Sequence, residues 1–151
     1  MHLNLFLYNA GILITGGEHE KSSEVYIPEL YIETGKTCTF PSLPENKGAH
    51  SIDTFNNLTI ICGGTRFAWD ESNTCLQFSS GVWTNYTNTM EKRFGHTSWV
   101  SSAGLVLVGG YEDFDSYYYG FVDDGGFHDN GPTAEIVPSG GPNFSLIENT
   151  G

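Results

Sequence analysis

The stretch FGHTSWVSSAGLVLVGG, residues 94–110, decides the fold because the chain repeats its pattern. A polar segment that contains His96 comes first, and a turn is predicted at residues 101–104. Four apolar residues, LVLV, then lead into the doublet Gly109-Gly110. Such a stretch predicts two short strands joined by a tight turn and closed by glycines.

The same pattern occurs twice more in the chain. In residues 48–64, GAHSIDTFNNLTIICGG, His50 stands thirteen residues before Gly63, which is also the spacing between the corresponding residues of the first stretch. A shorter copy, NAGILITGG, occupies residues 9–17 and ends in Gly16-Gly17. The doublets begin 47 and 46 residues apart. A fixed period of this length is typical of a repeat architecture.

Each period is predicted to hold short β-strands separated by turn residues. The composition agrees, since the chain has 19 Gly, 10 Phe, 8 Tyr and 3 Trp and lacks the apolar periodicity of an amphipathic helix. The predicted strands are 12–15, 24–27 and 36–40 in the first period, 50–55, 58–62, 74–78 and 82–86 in the second, and 97–100, 105–108, 134–137 and 144–147 in the third.

The second strand of each period is an almost continuous apolar run: ILIT, LTIIC and LVLV. A strand without polar alternation is predicted to be buried on both faces. The sheets are therefore expected to stack against one another.

With these features the chain resembles the kelch repeat, in which a basic residue and a His precede an apolar strand ending in Gly-Gly, and a Trp follows in the fourth strand. The residues that carry the resemblance are Lys47, His50, Gly63, Gly64 and Trp83 in the second period, Arg93, His96, Gly109 and Gly110 in the third, and Gly16 and Gly17 in the first.

The resemblance implies an all-β chain of about three four-stranded antiparallel blades of a β-propeller, at approximately residues 1–41, 42–88 and 89–151. Closed propellers have typically four to eight blades, so three are too few to close a ring. The chain is therefore expected to be a fragment of a larger propeller, or to self-associate through the open flanks of its outer blades.

The formal charge of −12, from 18 acidic and 6 basic residues, argues against binding to nucleic acid, which requires Lys and Arg to neutralise phosphates. No apolar run is long enough for a membrane span. The five histidines show no metal-ligand spacing, so neither a metal nor another cofactor is expected.

The three cysteines do not form a CxxC pair. Cys62 ends one predicted strand and Cys75 begins its neighbour, so these two are candidates for a disulfide in an oxidising compartment. Three reduced thiols, with Cys38 as the third, are the alternative.

Three triplets match the acceptor pattern for N-linked glycosylation, and they begin at Asn57, Asn85 and Asn143. Together with the cysteines they favour an extracellular or secretory location, although the residues do not determine the compartment.

Two loops that follow glycine doublets are candidates for ligand recognition, because loops on a rigid scaffold often carry binding residues. Residues 65–72, TRFAWDES, contain Arg and aromatic residues, and residues 111–132 form a long insertion rich in acidic and aromatic residues. Packing of these rings over their own blade is the alternative. The candidate binding residues are Arg66, Phe67, Trp69, Tyr111, Phe114 and Asp115.

The sequence offers no nucleophile, base and orienting group in a recognisable arrangement. It therefore predicts a non-catalytic module that binds a protein or glycan partner through loops on one propeller face. Two alternatives remain open by resemblance to other kelch proteins: part of a copper radical oxidase similar to galactose oxidase, and the substrate-recognition part of an intracellular ubiquitin-ligase adaptor.

Overall fold

The computed structural model describes residues 4–8, 11–17, 20–27, 33–67, 70–111, 133–141 and 143–147. Within these ranges the chain forms fourteen β-strands, and this confirms the predicted all-β class. Twelve of the strands form three four-stranded antiparallel sheets, and two form a small hairpin.

Each sheet is a meander in which successive strands pair in chain order. Sheet 1 contains β1 Asn4–Tyr8, β2 Gly11–Thr15, β3 Ser23–Tyr26 and β4 Cys38–Phe40. Sheet 2 contains β5 Ser51–Phe55, β6 Leu58–Cys62, β9 Thr74–Ser79 and β10 Val82–Asn88. Sheet 3 contains β11 Thr97–Val100, β12 Gly104–Val108, β13 Ala134–Pro138 and β14 Ser145–Leu146.

All eleven predicted strands are present, with ends that differ from the predictions by at most two residues. Two features were not predicted. The first period has a fourth strand, β1, and the loop after Gly64 contains the hairpin of β7 Thr65–Phe67 and β8 Asp70–Glu71. Polar residues interrupt the segment of β7 and β8, so its apolar pattern is too weak to predict strands. The apolar run of β1 was not assigned to a strand because it precedes the repeated pattern.

The sheets stack face to face around two apolar clusters. The cluster between sheets 1 and 2 contains Leu13 and Val25 from one sheet and Ile61, Leu76 and Trp83 from the other. The cluster between sheets 2 and 3 joins Phe55, Ile60, Cys62 and Cys75 to Leu105, Leu107, Val137 and Phe144. Sheet 2 is thus covered on both faces by its neighbours.

Burial on both faces was predicted for every second strand, and the structure supports this for β6 and β12 but not for β2. Buried and half-buried residues alternate along β2, where Ile12 and Ile14 are only partly covered. These two residues lie on the face of sheet 1 that points away from sheet 2. Within the described residues no further sheet covers that face.

Candidate binding face

The three glycine doublets lie together at one end of the sheets, which we call the doublet face. Backbone hydrogen bonds link neighbouring repeats there: Gly17 N–H donates to Lys47 O at 3.0 Å, and Gly64 N–H donates to Arg93 O at 2.8 Å. The opposite end, which we call the turn face, carries the hairpin turns between the first and second strands and between the third and fourth strands of the sheets. The two ends therefore differ in chemistry, and the loops with candidate binding residues emerge at the doublet face.

A buried lysine fixes the doublet face in the second repeat. Lys47 Nζ donates to Gly63 O at 3.0 Å, to Ser72 Oγ at 3.1 Å and to Thr74 O at 3.3 Å. It also forms a 3.1 Å ion pair with Glu45. Burial lowers the pKa of Lys47, and the Glu45 carboxylate offsets part of this effect. The ammonium group thus holds the ends of two middle strands together.

A buried arginine has the same position in the third repeat. Arg93 Nη1 donates to Gly109 O at 2.7 Å and to Thr133 O at 3.3 Å. Its Nη2 donates to Glu135 Oε1 at 2.6 Å and lies 3.4 Å from Glu91 Oε2. Glu135 is fully buried at 0% exposure, so this ion pair is screened very little by solvent.

The two repeated histidines each bond to a hydroxyl group of the preceding sheet. His50 Nε2 shares a 2.8 Å hydrogen bond with Thr15 Oγ1, and His96 Nε2 shares a 2.9 Å hydrogen bond with Ser51 Oγ. Burial, together with the positive charge of the basic residue in the same repeat, lowers the pKa of both imidazoles to about 3. Both rings are therefore neutral near pH 7, and the structure places them as links between sheets.

The loop after Gly64 projects from this fixed base as the β7–β8 hairpin. Arg66 Nη2 donates to Asp70 Oδ1 at 2.9 Å, and Arg66 Nη1 lies 3.7 Å from Glu45 Oε2. The neighbouring Phe67 side chain is 57% exposed. Trp69, the third candidate of this loop, lies outside the described residues.

Tyr111 follows the next doublet at the position that Thr65 occupies in the second repeat. Each of the two forms an isolated antiparallel bridge with the residue after the buried cation, Thr65 with Gly48 and Tyr111 with Phe94. The Tyr111 ring packs 5.7 Å from the Phe94 ring and is 41% exposed. The other candidates of the 111–132 insertion, Phe114 and Asp115, lie outside the described residues.

The structure joins Cys62 and Cys75 by a disulfide across β6 and β9, where the two residues are direct cross-strand partners. Cys38 is a free, half-buried thiol. The three acceptor asparagines, Asn57, Asn85 and Asn143, all have exposed side chains.

The acidic partners of the two buried cations were not singled out from the sequence. A repeated signal was available, because Glu45 and Glu91 each stand two residues before the basic residue of their repeat. Glu135 also had a signal, since it is the one charged residue in the predicted strand AEIV. A charge inside an apolar strand often marks a buried ion pair.

Among the described residues there is no group of three or more His, Cys, Asp or Glu side chains that could hold a metal ion. The described part of the chain also contains no helix with the length and hydropathy needed to cross a membrane.

No protein family profile matches the sequence, and no curated protein matches it. In contrast, 113 chains of solved structures are similar to this chain in fold. One of them, described as "Structure of YjhT", superposes with a TM-score of 0.74 at 11% sequence identity. The match covers 98% of this chain and 51% of the other, so this chain spans about half the length of that structure. At this identity the likeness concerns the fold alone.

Proposed function

We propose that the three sheets are three blades of a kelch-type β-propeller. Two features support this reading. All three sheets have the same meander order, and the same residue types, a glycine, a cation and a histidine, meet at both junctions between them. The fold is also similar to half of a solved chain of about twice the length, as expected for part of a larger assembly of repeated sheets.

The doublet face acts as the binding surface for a protein or glycan ligand in this proposal. The observation that carries it is the exposure of Phe67 and Tyr111 at equivalent loops on a base held by buried cations. Exposed aromatic side chains on a rigid support lose little conformational entropy on binding, and aromatic and Arg residues dominate interface energetics. Their placement therefore favours recognition.

The surrounding charges restrict the chemistry of the ligand. The chain has a net charge of −12, and Arg66 is engaged by Asp70 and Glu45. A polyanionic ligand would be repelled by the overall field of the protein. The proposed ligand is therefore a neutral glycan or a protein surface with exposed Lys and Arg side chains.

The proposed role is non-catalytic. Of the two histidines in the described part of the chain, His50 is buried and His96 is half-buried, and each is hydrogen-bonded to the preceding sheet, so both are used as links between sheets. The role therefore depends on surface contacts rather than on proton transfer or metal chemistry.

The proposal is tested by presenting the chain to a glycan array and to an array of extracellular proteins, and by measuring the affinity for the ligand that is retained. We expect Phe67→Ala and Tyr111→Ala each to weaken binding by at least tenfold, since residues that dominate an interface contribute about 2 kcal/mol or more. Val82→Ala is the matched control, because Val82 is 54% exposed at the turn face. Equal affinities for all variants would refute the assignment of the doublet face.

We also propose that the chain self-associates through the outer faces of sheets 1 and 3. On the outer face of sheet 3, Trp99 and Ile136 lie on the strands to either side of the buried Val106, and Trp99 is 46% exposed. Light scattering of the 151-residue chain is expected to show a dimer or larger species, and Trp99→Glu is expected to shift it toward monomer. A stable monomer of the unmodified chain at micromolar concentration would contradict this.

A further inference from the structure

The three glycosylation acceptor triplets occupy a restricted part of the molecule. Asn57 lies in the β5–β6 turn, and Asn143 lies between β13 and β14, so both are at the turn face. Asn85 lies in the middle of β10, the outermost strand of sheet 2. All three side chains are exposed, and none of the three triplets in the sequence lies at the doublet face.

The local backbone presents each acceptor to solvent. Asn57 has a positive φ of 61° at the tip of a two-residue turn and is exposed. The register of β10 with β9 shifts between Asn85 and Thr87, and such a bulge turns an edge strand outward. Ser145, the hydroxyl residue of the third triplet, is exposed on the short edge strand β14.

The disulfide is a second observation that is consistent with N-linked glycosylation. The disulfide between Cys62 and Cys75 joins two central strands of sheet 2 inside the apolar cluster. Protein disulfides of this structural kind form and persist in oxidising compartments such as the secretory pathway. N-linked glycosylation takes place in that pathway, so the disulfide and the acceptor triplets indicate the same cellular environment independently.

We propose that Asn57, Asn85 and Asn143 carry N-linked glycans. In the modification, the side-chain Nδ2 forms a bond to the anomeric carbon of a lipid-linked oligosaccharide. The bond between that carbon and the lipid diphosphate breaks, the diphosphate leaves with the electron pair, and Nδ2 loses one proton. The reaction involves no oxidant or reductant.

The placement of the glycans has a structural consequence. Two glycans cover the turn face and one covers the outer edge of β10, whereas the doublet face stays bare. An unpaired edge strand is a template for unwanted strand pairing, and β10, with seven residues, is the longest strand of the described chain. A glycan on Asn85 blocks that edge. This inference does not depend on what the doublet face binds.

The experiment uses the natural gene product isolated from its own cells, digested and mapped by mass spectrometry before and after enzymatic release of N-linked glycans. Release converts a glycosylated Asn to Asp, so the mass signature is expected at Asn57, Asn85 and Asn143. Asn56 is the internal control, because it neighbours Asn57 but begins no acceptor triplet. Unmodified peptides at all three positions would overturn the proposal.

Single variants give a second readout on protein secreted by the same cells. Asn57→Gly, Asn85→Gln and Asn143→Gln are each expected to lose one glycan and to keep the other two. Glycine suits the positive φ of Asn57, so the first variant removes the acceptor and leaves the turn unstrained. A glycan mass that does not change in any variant would contradict the assignment. The affinity of the doublet face for its ligand is a separate measurement, so failure of one proposal leaves the other intact.

Discussion

The junction between sheets 1 and 2 and the junction between sheets 2 and 3 are built on the same frame. A Cβ atom at Gly16 would lie 2.1 Å from Lys47 O, and one at Gly63 would lie 2.5 Å from Arg93 O. In each case the imidazole of the same repeat is the next contact, at 2.9 Å and 2.8 Å from that position. The frame therefore needs a glycine on one sheet and a cation and histidine on the next.

The two junctions differ in what fills the space beside this frame. In sheet 2, Leu76 pairs with Ile61 and packs in the apolar cluster with Leu43. At the equivalent position of sheet 3 stands Glu135, which accepts hydrogen bonds from the backbone N–H groups of Met90 and Glu91 at 2.6 Å and 3.2 Å. The frame therefore sets the stacking of the sheets, while the residues packed beside it can be apolar or ionic.

The largest expected difference concerns the two buried cations. Arg93→Met leaves Glu135 as a buried carboxylate without its cation, which typically destabilises a protein by about 3–5 kcal/mol. Lys47→Met leaves Glu45 without its cation, but Glu45 is 26% exposed and can be hydrated. We therefore expect a smaller decrease in the free energy of unfolding, of about 1–3 kcal/mol. Chemical denaturation of both variants measures the difference, and equal losses would show that the two junctions respond alike.

The next largest effect concerns the glycines of the frame. We expect Gly63→Ala to destabilise the fold by roughly 2–5 kcal/mol, since strain at a positive φ of 65° adds to a clash with backbone.

Gly109→Ala is the matched control, because the φ of Gly109 is similar, 68°, but no described atom lies within 4 Å of the added Cβ. For Gly109→Ala we expect the free energy of unfolding to fall only by the cost of the positive φ, about 1–2 kcal/mol. Thermal or chemical denaturation compares the pair. Losses of the same size would mean that the sheet contact at Gly63 contributes nothing beyond the backbone strain.

The smallest effect concerns pH and is expected to be the same at both junctions. His50 and His96 have a pKa of about 3 in the folded state and an ordinary value of 6.5. The unfolded chain therefore binds more protons below pH 6.5, so stability falls as the pH falls from about 6.5 toward 3. Between pH 7 and pH 6 we expect a loss of roughly 1 kcal/mol in the free energy of unfolding.

The measurement is the denaturation midpoint as a function of pH in the unmodified chain and in His50→Gln and His96→Gln. Each substitution is expected to remove about half of the dependence between pH 7 and pH 6. A midpoint that does not change in this range would show that the imidazoles are not held neutral in the folded state.

Most of the sheet architecture could be predicted from the sequence because apolar runs and glycine doublets recur at a fixed period. The runs ending at Thr15, Cys62 and Val108 each became the second strand of a sheet. The strand β1 was not predicted because its apolar run lies before the repeated pattern, and the hairpin after Gly64 was not predicted because polar residues interrupt its apolar pattern.

The candidate site was less predictable than the fold. The loops at Phe67 and Tyr111 could be located because they follow the doublets, and the structure adds that both side chains are exposed. The network around Glu135 depends on residues 42 to 45 positions apart in the chain, which local patterns do not bring together. Such long-range pairing becomes visible only in the folded chain.

Among the described residues, no atom lies within 4 Å of a Cβ built at Gly109, in contrast to Gly16 and Gly63. By the rule of the other two junctions, a segment that stacks on sheet 3 brings a basic residue followed three positions later by a histidine. Within the chain this spacing occurs only as Lys47 with His50 and Arg93 with His96, and both pairs are already engaged. The described residues therefore offer no further basic residue and histidine to contact Gly109. If the proposed propeller reading holds, a segment with that short motif is expected to stack on this face.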